Sequence, residues 1–209
     1  MSRIEIRQVN NNKELKQFVQ FYYDLYRRNV FAVPFLYSDE MATLRHDKNP
    51  SFECCEAAYF MAFRDNKMVG RIAAIINHRA NERWNRRQVR FGWFDFIDDI
   101  EVCTALLHTV EQWGRERNMT EMAGPLGFID TDREGMLVEG FDQLSTLYVN
   151  YNYPYYPQHI EQINGFEKDN DYVEMKVKVP ERYPPSLQKS PKWYASAMDC
   201  AYISSPATS

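Results

Sequence analysis

Hydrophobic and polar residues alternate near the start of this chain with two different periods, and each period predicts an element. Residues 4–9 alternate at every second position, which is typical of a β-strand with one buried face. Asn11 comes next, and Glu14 lies three positions after Asn11, as in a helix N-cap. An apolar stripe at helical spacing follows, formed by Leu15, Phe18, Val19, Tyr22, Leu25 and Tyr26. A strand followed by an amphipathic helix is therefore predicted.

Two apolar runs in the next part of the chain predict a hairpin. Residues 58–64 and 68–77 are rich in aromatic and β-branched side chains, and the turn-forming residues 65–67 separate them. A second short helix is expected in the segment after Pro34. It should end before Pro50, because the residue before a proline rarely continues a helix.

The central segment predicts strand, helix and strand in that order. Residues 91–97 are a buried aromatic strand by composition, and residues 100–117 have the clearest helical period in the chain. The apolar stripe of this helix consists of Val102, Leu106, Val110 and Trp113. A short strand at residues 120–123 closes the segment.

The remaining sequence predicts a partly helical segment, a helix and a final strand. Residues 135–147 are the weaker helix, since they contain Gly140. The next helix starts near Pro157 and ends at Gly165. Alternation then predicts a strand whose inward positions are Val173, Met175, Val177 and Val179. Residues 1–183 are predicted to form one domain, and residues 184–209 a poorly packed tail rich in Ser, Pro and Ala.

Composition excludes several classes of protein. The net charge is −4, which gives no general attraction to nucleic acid or anionic membranes. No apolar stretch is long enough to span a bilayer and no secretory leader is evident, so we expect a cytoplasmic protein without a membrane partner. The aromatic share of 15% indicates an aromatic core or an apolar ligand cleft. The four cysteines lack metal-ligand spacing, so reduced thiols and no metal site are expected.

The order of elements resembles the GNAT superfamily of acyl-CoA N-acyltransferases over residues 4–180. The local matches are the hairpin residues VGRIA at 69–73, the helix residues ALL at 105–107 and the helix stop NGF at 164–166. The segments GPLGF, DREGMLVEGFD and YYPQH are similar to those of a bacterial branch of that superfamily. The resemblance implies an α/β (α+β) fold with a mixed, mainly antiparallel sheet of about six to seven strands flanked by helices. It also implies acetyl-CoA or another acyl-CoA as co-substrate.

In that superfamily the turn before the central helix binds the CoA pyrophosphate through backbone N–H groups. Alignment on residues 105–107 places Asp98, Glu101 and Cys103 at the motif positions, and none of the three matches the motif. The carboxylates would repel a pyrophosphate and compete for the amides. The residues implied for the cofactor site are Phe96, Ile97, Asp98, Glu101 and Cys103.

Candidate catalytic groups follow from the same resemblance. Asp95 is the carboxylate inside the predicted fourth strand, and burial between two phenylalanines would make it a stronger general base. The alternative is that Asp95 faces solvent or accepts backbone hydrogen bonds. The tyrosine that protonates the leaving thiolate in the family is replaced here by Glu161. Tyr156, or its neighbour Tyr155, offers a phenol from another turn of the same helix, although packing is the alternative role.

Two polar segments are candidates for binding. Residues 124–142 follow the fifth strand, where Asp130, Asp132 and Arg133 are expected to contact a polar acceptor. The Arg-rich residues 78–90 are expected to form a loop that is solvated or holds a phosphate or nucleic acid. The sequence thus predicts an acyltransferase acting on an amine of a small molecule or protein. A non-catalytic binding module of the same fold is the alternative.

Overall fold

The computed structural model describes residues 3–146, 149–175 and 177–178. Met1–Asp169 forms one compact unit, and a second unit begins at Asn170. The strands are β1 (Glu5–Gln8), β2 (Cys55–Arg64), β3 (Lys67–Asn77), β4 (Gln88–Phe96) and β5 (Glu121–Ala123). The α-helices are α1 (Asn12–Tyr26), α2 (Tyr37–Thr43), α3 (His78–Trp84), α4 (Ile100–Arg115) and α5 (Tyr155–Glu161), and a 3-10 turn covers Pro50–Glu53. No helix among these residues has both the length and the apolar character that crossing a bilayer requires.

The strands form one sheet in the order β1-β2-β3-β4-β5. Neighbouring strands are antiparallel except β4 and β5, which run parallel. The β2–β3 turn is tight because Asp65 and Asn66 adopt φ of 50° and 60°, a region that Asp and Asn tolerate well. A mixed, mainly antiparallel sheet flanked by helices confirms the predicted fold class, with five strands in the described residues instead of six to seven.

Both faces of the sheet are covered by a helix, which the alternation along β3 makes possible. Ile72 and Ile76 pack on one face with residues of α4, and Ile75 packs on the other with residues of α1. The α4 residues in the first cluster include Val102, Leu106 and Val110, as the helical stripe predicted. The α1 residues in the second include Leu15, Phe18 and Val19.

Both long helices begin at side-chain caps. Asn11 Oδ1 accepts hydrogen bonds from the backbone N–H groups of Lys13 and Glu14, each at 3.0 Å. Glu14 accepts in turn from the N–H of Asn10 at 2.7 Å, one residue earlier than a standard capping box. Asp99 caps α4 by accepting from the first backbone N–H groups of that helix. These side chains fix where each helix starts.

A β-bulge in β4 bends the strand at the centre of the sheet. Arg71 and Ala73 are two positions apart on β3, but their partners on β4, Asp95 and Gly92, are three positions apart. Trp93 adopts φ of 44° inside the bulge, a strained conformation for a tryptophan. A Cβ on Gly92 would lie 2.4 Å from the backbone oxygen of Leu126, so only glycine lets the following loop approach the bulge this closely.

The predicted final strand is wrong for the residues described. Residues 170–175 and 177–178 form neither helix nor strand. Val173, Met175 and Val177, expected to point inward, are 79%, 81% and 79% exposed, while Val179 lies outside the described residues. Alternation specifies a strand only where a neighbouring strand pairs with it and a core covers one face, which the sequence alone does not establish.

Two further expectations are corrected. Residues 135–146 contain no helix, since Gly135 and Gly140 adopt φ of 76° and 81°. The Arg-rich segment expected as a loop begins with the helix α3, which Asn77 caps by accepting from Ala80 N–H at 2.8 Å. Asn85 ends α3 in the left-handed conformation. The capping asparagines make a short helix stable where the apolar period is absent.

Candidate active site

A cavity of about 350 Å³ opens between the bulge of β4, helices α1 and α2, and the loop after β5. Its volume falls within the range of small-molecule sites. The charged lining residues are four acidic and two basic: Asp39, Glu40, Asp95 and Asp132, with Arg71 and Arg133. The acidic excess favours a cationic ligand over an anionic one.

A buried ion pair lies in the wall of this cavity. Arg71 and Asp95 are 1% and 6% exposed, and the Arg71 guanidinium donates to Asp95 Oδ2 at 2.7 Å. Arg71 also donates to the backbone oxygen of Phe18 at 3.1 Å, so the guanidinium is fixed from two elements. Because Oδ2 is held by Arg71, Oδ1 is the oxygen of Asp95 left to act on a ligand.

A chain of phenols leads to that second oxygen. Tyr26 donates to the Tyr156 hydroxyl at 2.9 Å, and Tyr156 lies 3.4 Å from Asp95 Oδ1. The backbone N–H of Phe96 also donates to the Tyr156 hydroxyl, at 3.2 Å. Burial and the nearby charge of Asp95 raise the pKa of Tyr156 well above its usual value, so Tyr156 stays protonated at neutral pH. The sequence-predicted pair Asp95 and Tyr156 is therefore brought together.

The opposite wall is held by Glu40 of α2. Glu40 is buried and accepts from the indole N–H of Trp93 at 2.8 Å. It also pairs with Arg133 of the loop after β5. The Arg133 guanidinium lies over the ring of Phe35, which lines the same cavity. Glu40 thus joins the bulge, α2 and the loop into one rigid wall.

The two predicted acceptor-binding aspartates lie in different surroundings. Asp132 lines the cavity, and its Oδ2 accepts from the backbone N–H groups of Phe128 and Ile129 at 2.7 and 3.2 Å. These bonds shape the loop. Asp130 is exposed and does not line the cavity. Of the predicted acceptor residues, Arg133 has the position best suited to contact a ligand.

Carboxylates and their hydrogen-bonding partners occupy the turn before α4. Asp99 accepts from the N–H groups of Glu101 and Val102, and Arg64 pairs with both Asp99 and Glu101. Although burial opposes ionisation, the Arg64 hydrogen bond and the two amides lower the pKa of Asp99 below its usual value. Asp98 pairs with His159 at 2.7 Å. The N–H groups of Glu101 and Val102 are therefore already engaged, and with its three carboxylates the turn does not fit a pyrophosphate.

The other residues implied for the cofactor site are structural in this arrangement. The Cys103 thiol is fully buried in the core, which raises its pKa to about 12. Phe96 is also fully buried. The backbone N–H of Ile97 donates to Val69 oxygen at 3.0 Å and extends the sheet.

The arginines predicted as one cluster divide into two groups. Arg90 is partly buried and donates to the backbone oxygen of Gly127 at 3.2 Å, so it supports the loop after β5. Trp84, beside the others, is 68% exposed. The exposed arginines are Arg79, Arg83, Arg86 and Arg87. This group lies outside the cavity lining.

Sequence reasoning missed Arg71, Tyr26, Glu40 and Trp93 as parts of the site. Arg71 lies 24 residues before Asp95, and Tyr26 lies 69 residues before it. One signal was available, since Arg71 is a charged residue in an otherwise apolar strand and such a residue needs a buried partner. Tyr26 gave no signal, because its spacing is that of ordinary core.

Two curated proteins are similar to this chain, while no known family model matches it. It is 30% identical over 168 residues to protein YghO of Escherichia coli, covering 80% of this chain and 43% of that protein. It is 28% identical over 170 residues to a bacterial ceramide synthase of Caulobacter vibrioides, covering 81% of this chain and 44% of that protein. The chain thus spans less than half the length of these relatives.

A solved structure has a similar fold. It is a predicted acetyltransferase from Clostridium acetobutylicum with acetyl-CoA, at a TM-score of 0.50 and 10% identity, covering 83% of this chain and 96% of that one. At that identity the similarity concerns the fold alone. The chain has the fold of the GNAT acetyltransferases, as the resemblance in its sequence implied.

Proposed function

We propose that this chain transfers an acyl group from a CoA thioester to an amine bound in the cavity beside Asp95. The observation that carries the proposal is the position of Asp95, buried in the cavity wall with one oxygen held by Arg71 and the other facing two phenols. A carboxylate fixed in this way can accept a proton without reorienting.

The first step prepares the amine. An alkylamine is protonated at neutral pH, and the acidic excess of the cavity attracts the cation. Asp95 Oδ1 accepts one proton from the ammonium group, directly or through a water molecule. The free nitrogen lone pair can then attack a carbonyl carbon.

The second step forms the amide and releases the thiol. The amine nitrogen bonds to the thioester carbonyl carbon, the carbon–sulfur bond breaks, and sulfur leaves with the electron pair. Tyr156 donates its proton to that sulfur, and the proton that Asp95 Oδ1 took from the amine then passes to the Tyr156 oxygen, 3.4 Å away, which restores both groups. The second amine proton passes to solvent. The products are an amide and a free thiol.

The thioester donor is supported by the fold. The Clostridium acetobutylicum protein of similar fold was solved with acetyl-CoA. In the turn before α4, Asp99 engages the N–H groups of Glu101 and Val102, and the carboxylates around them would repel the donor's pyrophosphate. The proposed chemistry therefore assigns no contact to the pyrophosphate and depends only on the thioester.

The acceptor class is suggested by one relative. The Caulobacter protein is called a bacterial ceramide synthase, and a ceramide is the amide of a fatty acid with a long-chain amino alcohol. We extend this class to the present chain as a proposal, with a lipid amine as acceptor and a long-chain acyl-CoA as donor. Acetyl transfer to a small polar amine is the other form of the same reaction.

Thiol release in the presence of an amine tests the proposal. The purified chain is incubated with acetyl-CoA or palmitoyl-CoA and with either a long-chain amino alcohol or a short amine, and free thiol and amide are both quantified. The proposal expects amide and thiol in equal amounts. Hydrolysis without amide, or no consumption of any thioester, would argue against it.

A non-catalytic binding module is the second candidate. It is favoured by the closed turn before α4, where Arg64 and Asp99 occupy the position that a pyrophosphate would need. This reading expects amine binding in the cavity without turnover of any thioester. Calorimetric titration of the same amines, read together with the thiol-release assay, separates the two candidates, because both bind the amine and only the transferase consumes the thioester.

A further inference from the structure

Tyr22 presents a buried hydroxyl without a partner to the cavity. The residue is 4% exposed, lines the cavity, and its Oη has no hydrogen-bond partner among the residues that the structure describes. Nearly all buried hydroxyls in proteins are hydrogen-bonded, because an unpaired one destabilises the fold. A ligand oxygen in the cavity would supply the missing partner.

Arg133 presents a second unpaired donor to the same cavity. Its Nη2 pairs with Glu40, while its Nη1 is buried and has no partner within the described part of the chain. Tyr22 and Arg133 are arranged around one ring. Tyr22 stacks on Phe35 with centroids 4.8 Å apart, and the Arg133 guanidinium lies 2.9 Å from the Phe35 centroid.

Both groups are donors at neutral pH. Burial, together with the charge of Asp95, raises the pKa of Tyr22 above its usual value, so the phenol keeps its proton. Both carboxylate oxygens of Glu40 are engaged, one by Arg133 and one by Trp93. This corner of the cavity therefore offers two N–H or O–H donors and calls for an oxygen acceptor on the ligand.

The charge of the cavity determines which kind of oxygen fits. Glu40 already neutralises Arg133, and the lining carries four carboxylates against two guanidinium groups. A carboxylate or phosphate on the ligand would be repelled. An uncharged hydroxyl or ketone oxygen accepts both bonds without that cost.

We propose that Tyr22 Oη and Arg133 Nη1 bind an uncharged oxygen of the acceptor amine and so select amines that carry a hydroxyl or ketone near the reacting nitrogen. The inference rests on the proposed function for the identity of the ligand as an amine. We expect the nitrogen and oxygen of the ligand to be close together, because the ring of Tyr22 lies 4.7 Å from that of Tyr26, whose hydroxyl is 3.5 Å from Asp95.

Calorimetric binding of three matched compounds tests the assignment without any need for turnover. The compounds are leucinol, the same amine without its hydroxyl, and leucine, which carries a carboxylate instead. Wild type is expected to bind leucinol roughly tenfold more tightly than the deoxy amine, the effect of one or two hydrogen bonds, and to bind leucine more weakly still.

Variants locate the effect. Tyr22→Phe removes the hydroxyl, and Arg133→Lys keeps the charge for Glu40 but loses Nη1. Each should lower leucinol affinity toward that of the deoxy amine. Tyr37→Phe, on the neighbouring helix and outside the cavity lining, is the matched control and should bind leucinol as wild type does.

The outcomes separate this inference from the proposed function. Equal binding of leucinol and the deoxy amine by wild type, or no binding of either, overturns the subsite. Discrimination in binding with no thioester turnover supports the subsite while the transferase activity fails. Turnover without discrimination supports the transferase and overturns the subsite.

Discussion

Arg71 and Asp95 lie opposite each other on β3 and β4 and form an ion pair at 2.7 Å that is almost fully excluded from solvent. The pair sits beside the bulge of β4, in the wall of the cavity. Burying two charges has a desolvation cost that their attraction repays only with good geometry and further hydrogen bonds. Arg71 has such bonds to the backbone of α1, so the pair ties α1 to the sheet.

Replacing Arg71 with methionine should destabilise the protein strongly, because Asp95 would remain buried without a partner. We expect the free energy of unfolding in urea to fall by about 3–5 kcal/mol. The double variant Arg71→Met with Asp95→Leu should lose less than the single one. Arg115→Met, which breaks an exposed pair with Glu111, is the control and should be nearly neutral. A loss below about 1 kcal/mol for Arg71→Met would contradict the account.

Glu40 should stabilise the protein through both of its oxygens, one paired with Arg133 and one bonded to Trp93. Glu40→Ala leaves Arg133 unpaired and removes the acceptor for Trp93, and should cost about 3 kcal/mol. Glu40→Gln retains an acceptor for Trp93 and should cost clearly less. Urea unfolding followed by tryptophan fluorescence measures both. Equal losses would mean that the hydrogen bond to Trp93 contributes nothing and would contradict the expected difference.

Stability should fall at alkaline pH, in part because of Cys103. Burial raises the pKa of its thiol from 9.0 to about 12, so the unfolded chain loses this proton at lower pH than the folded one. The contribution of the Cys103 thiol to the free energy of unfolding is fully present below pH 9.0. Between pH 9.0 and pH 12 this contribution falls by about 1.4 kcal/mol per pH unit. Cys103→Ala should therefore show a shallower decline of unfolding free energy with pH. Parallel slopes for wild type and variant would refute this.

Loss of the α1 cap should have a moderate cost. Asn11→Ala removes the acceptor for the N–H groups of Lys13 and Glu14, and the free energy of unfolding should fall by about 1 kcal/mol. Asn12→Ala, at the next and exposed position, is the control. The interpretation fails if the two variants are equally stable.

The parts of the fold that could be predicted from sequence depend on local pattern. The stripe from Leu15 to Tyr26 buries one face of a helix, whereas β2 and β3 are continuous apolar runs because both faces of the sheet are covered, so each pattern indicates its element. The alternating pattern around Val173 gave a wrong prediction of a strand, because a strand also needs a pairing partner that the sequence does not specify. Helix α3 was missed because asparagine caps, not apolar period, define it.

The candidate site was predictable only in part, for a geometric reason. Asp95 and Tyr156 were expected as site residues from the fold that the sequence resembles. The Tyr156 hydroxyl lies 3.4 Å from Asp95 Oδ1. Arg71 could have been inferred as a buried charge, but its partner follows from the strand register around the bulge. The unpaired hydroxyl of Tyr22 is visible only in three dimensions, since its spacing in α1 is that of ordinary core.

The central claim is that Asp95 accepts a proton from the amine, and amide formation by Asp95→Asn tests it most directly. Asp130→Asn makes the same chemical change at an exposed position of the loop after β5 and is the matched control. Both variants are compared at a temperature where circular dichroism shows each to be folded. We predict a fall in kcat of about 100-fold or more for Asp95→Asn and a wild-type rate for Asp130→Asn. A folded Asp95→Asn variant that forms amide at the wild-type rate would contradict the account.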